Sequence, residues 1–463
     1  MTKSIAFNPE LIKRYDQPGP RYTSYPTANQ FNERVDACDY TTWARQSNED
    51  PIPRPLSLYF HLPFCNNICY YCACNKIITK NTQRAVDYLV DLHHEIELQS
   101  ELFDSDRVVE QLHWGGGTPT FLTGAQMQQL MLKIGQHFKL RNDDGGEYSI
   151  EIDPRSIDKS TIKHLRSLGF NRLSVGVQDF DAKVQRAVNR IQPVALTQSV
   201  IESARRCGFK SINIDLIYGL PLQTVSRFAE TLEILIELNP DRIALYNYAH
   251  LPNRFPPQRR INAADLPEAE EKLSILQYSI ERLTQAGYVY IGMDHFARPS
   301  DELAVAQYQG TLHRNFQGYS AHSICDSVAM GVSAISNIGD HFCQNTTDII
   351  VYHEQLRENK LPIYRGYETH AKDILRREII QQLICFFRLD IASIEQRWSI
   401  DFNDYFAPEL ARLEPMQTDG LLVVANDEIR VLDDGRLLVR NICMVFDRFI
   451  GPRVCNGKFS HLV

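Results

Sequence analysis

Apolar positions recur along this chain in two rhythms. From Pro55 onward, runs of strand length occupy Leu56–His61, Val109–Trp114, Tyr148–Ile152, Leu173–Gln178, Ile212–Tyr218 and Ile243–Tyr248. Segments of helical period lie between them. Ala85, Leu89, Leu92 and Ile96 share one helical face; Val200, Ala204 and Cys207 share another, with Gly208 as a stop. Leu273, Leu276, Ile280 and Leu283 mark a further amphipathic helix, closed by Gly287. Strands alternating with helices are the βαβ signature, and six such strands predict an α/β fold with a parallel sheet, barrel-like or doubly wound. In either fold the loops after the strands build the active site, so each chemical motif should follow a strand.

The flanks read differently. Residues 1–50 are polar and rich in turn formers (Pro18, Gly19, Pro20, Pro26) and predict an extended N-terminal arm laid against the rest. After about residue 365, helical period returns at Ala371–Phe387 and Ile394–Trp398. Leu421–Ala425 and Ile429–Leu432 can pair as a hairpin across Asn426–Asp427, and Leu437–Ile450 reads as a last apolar helix. Helices followed by a hairpin predict a small, winged-helix-like C-terminal domain. The division expected is an arm at 1–50, a catalytic domain at 51–365 and a C-terminal helical domain at 366–463.

Charge decides between two uses of that last domain. Forty-nine Lys and Arg against 57 Asp and Glu give −8, without a basic stripe. Packing over an active site is therefore favoured over nucleic-acid binding. No apolar run approaches the roughly 18–20 residues of a membrane helix, and MTKSIAFNPELIKRYDQ lacks a signal-peptide core. A cytoplasmic protein with no membrane or nucleic-acid partner is expected.

The cysteines point to chemistry. There are 11, an odd number, and Cys65, Cys69, Cys72 and Cys74 crowd one loop directly after the first strand. Scattered pairs would suggest disulfides; one dense cluster in a long chain suggests a metal site in a reducing compartment. Structural zinc usually takes two separated pairs of ligands. The C-x3-C-x2-C spacing of Cys65, Cys69 and Cys72 instead suits three corners of a [4Fe–4S] cluster, leaving one iron for an external ligand. S-adenosylmethionine (SAM) can chelate that iron, and electron transfer to its sulfonium releases a 5′-deoxyadenosyl radical. Cys74 stands too close to Cys72 to reach another corner easily. After the second strand, Gly115, Gly116 and Gly117 let the backbone approach a ligand closely. Glu151 and Asp153, Gln178 and Asp179, Arg190 and Asp215 lie at or near later strands and line the predicted rim.

Several blocks together resemble the oxygen-independent coproporphyrinogen III oxidase (coproporphyrinogen dehydrogenase) family of radical SAM enzymes. They are Gly19–Pro26 (GPRYTSYP), the cysteine loop, His113–Thr120 (HWGGGTPT), Gly176–Phe180 (GVQDF), Asn213–Pro221 (NIDLIYGLP), Asn247–Pro252 (NYAHLP), Gly292–Ala297 (GMDHFA), Arg314–Tyr319 (RNFQGY) and Gly331–Ile335 (GVSAI). The likeness covers nearly the whole chain. It implies a partial, six-stranded TIM-like barrel and the oxidative decarboxylation of two propionates of coproporphyrinogen III to vinyls, giving protoporphyrinogen IX. It also implies two SAM molecules, an electron donor for the cluster, an electron acceptor of unknown identity and a monomer. By motif, Tyr59, Gly116, Glu151 and Ile335 would contact the cluster-bound SAM. Tyr71, Gly117, Thr118, Gln178, Arg190, Asp215 and Ala249 would contact the second. Cys65, Cys69 and Cys72 would hold the cluster.

The chain departs from the family at two places. Ala73 replaces the usual glycine between Cys72 and Cys74, and Tyr319–Met330 carries bulkier residues and Cys325, whose reactivity is open. The second departure keeps open a related radical SAM paralogue, a haem chaperone or a methyltransferase, with altered substrate. A zinc-binding DNA regulator is the reading from another class, opposed by the acidic charge. Arg21, Arg298 and Arg314 are candidates for substrate carboxylates. His61, His250 and His295 follow strands, and His93 and His94 read as solvated; none is assigned as a proton donor.

Overall fold

In a computed structural model, which describes residues 5–322 and 325–450, the six expected strands form and run parallel. They are β1 (Leu56–Leu62), β2 (Val108–Gly116), β3 (Glu147–Ile152), β4 (Arg172–Gln178), β5 (Ser211–Tyr218) and β6 (Arg242–Asn247), each bonded to its neighbours in chain order. The expected helices cover their back. Ala85, Leu89, Leu92 and Ile96 are buried in Gln83–Ser100, and the helices Val194–Arg206 and Ala269–Gln285 end just before Gly208 and Gly287, both at positive φ.

The sheet is wider than six strands. Beyond β6 lie His295–Ala297 and Val289–Gly292, both antiparallel. On the other side β7 (Asp326–Met330) pairs parallel with β1, followed by the antiparallel strands Ile335–Ile338, His341–Asn345 and Ile363–Tyr367. Much of the stretch read as a divergent loop is therefore a strand. Val328, Ala329 and Met330 are buried against β1, and the Asp326 carboxylate pairs with Arg107 at 2.6 Å. Ser323 and Ile324 lie outside the described residues.

The N-terminal arm is not simply extended. It contains the helices Pro9–Tyr15, capped by Asn8, and Ala37–Gln46, closed by an Asp36/Asp39 capping box. Ile12, Tyr40 and Ala44 anchor them, and Tyr22 and Tyr25 are buried between. In the C-terminal region the helix Ala371–Phe386 and a three-stranded sheet (Arg388–Asp390, Leu422–Val424, Glu428–Val431) form, with the hairpin near its expected place. The last helix is shorter than expected, Val439–Val445. Phe446 caps it, and just beyond, Asp447 accepts hydrogen bonds from the Phe449 amide and the Tyr22 hydroxyl. Among the described residues, no helix is long and apolar enough to cross a membrane.

One buried carboxylate pins the sheet beside the future site. Glu95 is fully buried and accepts hydrogen bonds from the Gly331 amide (2.7 Å), Asn345 Nδ2 (2.7 Å) and the Tyr352 hydroxyl (2.6 Å). The Tyr88 hydroxyl donates to the His61 carbonyl and accepts from the Val332 amide. The turn after β7 is thereby tied to the end of β1. Burial pushes the Glu95 carboxyl up to about 7, above its ordinary value of 4.5. Its protonated form is the one folding favours, so its contribution is present below pH 4.5 and is lost as pH rises through 7. The complete loss is roughly 3 kcal/mol. We expect the urea midpoint of the wild type to fall between pH 5 and 8 more steeply than that of Glu95→Gln. Parallel pH profiles for the two proteins would refute the assignment.

Candidate functional site

Successive residues of a strand face opposite sides of its sheet, and here the two sides differ in chemistry. On one side Leu58, Phe60, Trp114, Ile150, Val175, Ile214 and Leu245 pack under the helices. On the other, Tyr59, His61, Gln111, His113, Ser149, Glu151, Ser174, Asp215 and Tyr246 face an interior space. A cavity of about 440 Å³ lies there, walled by Tyr59, His61, His113, Glu151, Tyr246, Arg314 and Ile335. The arm closes it with Thr23, Ser24 and Tyr25, and the helix Ala371–Phe386 with Arg377 and Gln381. A second space of about 330 Å³ carries Cys65, Cys69, Tyr71, Cys72, Gly117, Thr118, Gln178, Arg190 and Asp215. Cys74, Gly116, Glu151 and Tyr246 line both, so the two spaces share a wall.

Asp179, expected on the rim, lines neither space; it accepts hydrogen bonds from Gln223 Nε2 (2.6 Å) and Thr231 Oγ1 (2.7 Å). Of the residues expected to contact the cluster or SAM, only Ala249 lines neither. It sits past the end of β6, where its carbonyl accepts from Gln258 Nε2 at 3.2 Å. The same amide donates to the Tyr71 carbonyl at 3.0 Å, so Gln258 joins the Ala249 backbone to the cysteine loop.

The cysteine loop is fixed by backbone contacts. The Gly117 amide donates to Leu62 O (2.9 Å) and the Thr118 amide to Phe64 O (2.8 Å), continuing the pairing of β2 with β1 past its end. Gly116 stands at φ +109°, where a Cβ would lie 2.5 Å from the His61 ring; a Cβ on Gly117 would lie 2.6 Å from the Pro63 carbonyl carbon. Only glycine fits there. Farther along, the Tyr70 amide bonds Val188 O and Asn189 Nδ2 bonds Ile68 O. Ala73 does not adopt positive φ, so its methyl group adds no backbone strain.

Donors surround the sulfurs. Thr118 Oγ1 approaches Cys65 Sγ at 3.5 Å, Arg155 Nη2 approaches Cys69 Sγ at 3.5 Å, and Arg190 Nη1 approaches it at 3.6 Å. Asp153 holds both guanidiniums, at 2.6 Å and 3.3 Å. Lys76 Nζ donates to Cys72 O at 2.8 Å. A hydrogen bond from Cys74 draws the Cys72 thiol down to about 6. Among the described residues no three His, Cys, Asp or Glu side chains converge on one metal ion. Three thiols spread round a loop, with a hydroxyl donor at Cys65 and two guanidinium donors at Cys69, are a donor set that fits an iron–sulfur cluster.

The wall between the spaces is electrostatically set. Burial pushes the Glu151 carboxyl up, but hydrogen bonds from His113 Nε2 (3.2 Å) and the Gly116 amide (3.1 Å) outweigh it and hold Glu151 below the ordinary range. Asp215 is raised to about 6 by burial first and by Glu151 second, while Asn213 and Ser174 donate to it. The Tyr59 ring stacks on His113 at 5.7 Å. Burial lowers the His61 pKa. The neutral ring donates from Nε2 to Asn75 O at 2.9 Å and accepts from the Tyr59 hydroxyl at Nδ1.

The candidate cations separate. Arg314 is buried on the cavity wall. Arg21 is paired with Asp294 at 2.8 Å. Arg298 lies at the opposite end of the sheet, because Ala297 pairs with Arg242, the first residue of β6; there it stacks on Tyr288. His250 lies outside both spaces, bonded to Tyr248, while His295 lines a small pocket below the main cavity. His93 and His94 are half-buried rather than solvated. Cys325 lines the cavity, but burial pushes its thiol up to about 12, which makes it a poor nucleophile at neutral pH. The residues that the motifs missed are Gln111, Ser149, Ser174 and Tyr246, and His113 had no role assigned although it opens the block HWGGGTPT. Their signal was the strict alternation in sequences such as YSIEI and SINIDLIY, which marks a polar inner face.

Residues 59–235 match the Radical SAM superfamily profile, and residues 369–438 match the HemN C-terminal domain. An oxygen-independent coproporphyrinogen III oxidase of Pseudomonas aeruginosa is 53% identical over 463 residues, covering 100% of both chains. The Escherichia coli protein of the same name is 49% identical, covering 100% of this chain and 99% of its own. A solved structure described as coproporphyrinogen III oxidase (HemN) from Escherichia coli, a radical SAM enzyme, superposes with a TM-score of 0.92 at 49% identity, over 97% of this chain and 100% of that one.

The glycine geometry can be tested directly. Gly116→Ala is expected to lower the thermal midpoint, at a cost of roughly 1–3 kcal/mol, because it adds both a disfavoured φ and a clash with His61. Ala73→Gly should bring no gain. Equal midpoints for Gly116→Ala and the wild type would show that the turn is not held as described.

Proposed function

This chain belongs to the oxygen-independent coproporphyrinogen III oxidase family of radical SAM enzymes, and on that premise we propose that it converts two propionates of coproporphyrinogen III to vinyls, giving protoporphyrinogen IX. The observation that carries the reading is the wall shared by the cysteine-lined space and the deep polar cavity. Residues that reach a cofactor on one side stand beside those that reach a substrate on the other.

Cys65, Cys69 and Cys72 hold the [4Fe–4S] cluster, with Thr118, Arg155 and Arg190 donating toward their sulfurs. With SAM bound to it, such a cluster would supply 5′-deoxyadenosyl radical chemistry. Tyr59, Gly116, Glu151 and Ile335 contact that SAM; Glu151, kept ionised by His113 and Gly116, offers acceptor oxygens to an ammonium or a ribose hydroxyl. Tyr71, Gly117, Thr118, Gln178, Arg190, Asp215 and Ala249 form the place of a second SAM, with Ala249 engaged through its backbone. The polar cavity receives the substrate, and the arm and the helix Ala371–Phe386 shield it from bulk water.

The barrel-like catalytic domain spans 51–365, flanked by the arm at 1–50 and a winged-helix-like domain at 366–463 that serves as a cover and not as a nucleic-acid reader. The enzyme works as a cytoplasmic monomer, with an external donor that reduces the cluster and an acceptor that takes the electron released with carbon dioxide.

Anaerobic reconstitution is expected to load about four iron and four sulfide per chain, and Ala at Cys65, Cys69 or Cys72 should abolish SAM cleavage. Incubation with coproporphyrinogen III, SAM and a reductant should yield the vinyl product. SAM cleavage without it would refute the substrate assignment in favour of a paralogous activity.

A further inference from the structure

Arg314 differs from the other cations around the cavity. It is 3% exposed and forms no ion pair among the described residues. Nε donates to the Arg21 carbonyl at 3.2 Å, and the guanidinium lies 4.7 Å from the Tyr319 ring centre. Nη1 is buried without a hydrogen-bond partner among the described residues. Arg21 is paired with Asp294, and Arg377 with Asp340 at 3.0 Å. The position of Arg314 is also built. Its amide donates to Gln381 Oε1 (3.2 Å) and its carbonyl accepts from Gln381 Nε2 (2.9 Å), while His313–Asn315 pairs with Gly318–Ser320.

A buried guanidinium with an unused donor on a cavity wall calls for an anionic acceptor, and the planar fork of arginine matches a carboxylate. We propose that Arg314 is a carboxylate-binding subsite that anchors one propionate of the substrate. This rests on the substrate class given above.

The test uses the reconstituted holoenzyme and two fluorescent probes, coproporphyrin III and its tetramethyl ester, titrated by fluorescence quenching. The wild type should prefer the acid to the ester, and Arg314→Gln should weaken acid binding by about tenfold or more while leaving ester binding unchanged. Arg314→Lys, which keeps a point charge, should retain part of the preference. Iron content and circular dichroism check that each variant folds. Unchanged acid binding in Arg314→Gln would overturn the proposal, as would equal losses for acid and ester, the mark of a merely structural arginine. If Arg314→Gln fails to fold, an Arg314→Lys protein that discriminates acid from ester as the wild type does would overturn it, and a reduced preference would support it. Absence of vinyl product from the wild type would instead remove the substrate reading itself, which the assay above detects separately.

Discussion

The site depends on one constraint: the inner face of the parallel sheet is polar, and it is enclosed. Charged and hydrogen-bonding groups taken out of water must find partners or a ligand. Most of those here find each other. Glu151 meets His113 and the Gly116 amide, Asp215 meets Asn213 and Ser174, and Arg172 and Arg242 meet Glu147, Asp301 and Glu302. The interior thereby becomes a preorganised lining rather than an apolar plug. What remains unpaired on the wall marks where a ligand belongs.

The cysteine-lined space and the polar cavity are joined by close backbone approach. The strand β2 runs into three glycines, the first of its turn at positive φ being Gly116, and the chain there presses against His61 and Pro63. That contact places the cysteine loop over the ends of the strands. Glu95, Tyr88 and Tyr352 do the equivalent work on the other side, holding Gly331 and Val332 against the end of β1. Ile335 follows four residues after Gly331, so a buried carboxylate in a helix positions a residue of the cavity wall.

Much of this was legible in advance, for physical reasons. Strand length and helical period reported the six strands and the helices behind them, because burial against a helix demands apolar residues at fixed spacing. The C-x3-C-x2-C loop and the glycines reported cofactor chemistry, because few residue types can do that work. The arm was less legible: its prolines masked two short helices whose anchors, Ile12, Tyr40 and Ala44, are few. The strand Asp326–Met330 was hidden because it begins with Asp and Ser, and its Asp is tolerated only through a buried pair with Arg107.

The sequence by itself determined the α/β fold class and the radical SAM chemistry, since these follow from local period and from spacing along the chain. Only the tertiary structure decided which ionisable residue has a partner. Arg21, Arg298 and Arg314 read alike as letters. Folding sends Arg298 to the far end of the sheet, gives Arg21 to Asp294, and leaves Arg314 on the cavity wall with no carboxylate partner among the described residues. The reason is that a charge's role is set by what lies within a few ångströms of it, and those neighbours come from segments hundreds of residues apart, such as Arg21 and Asp294.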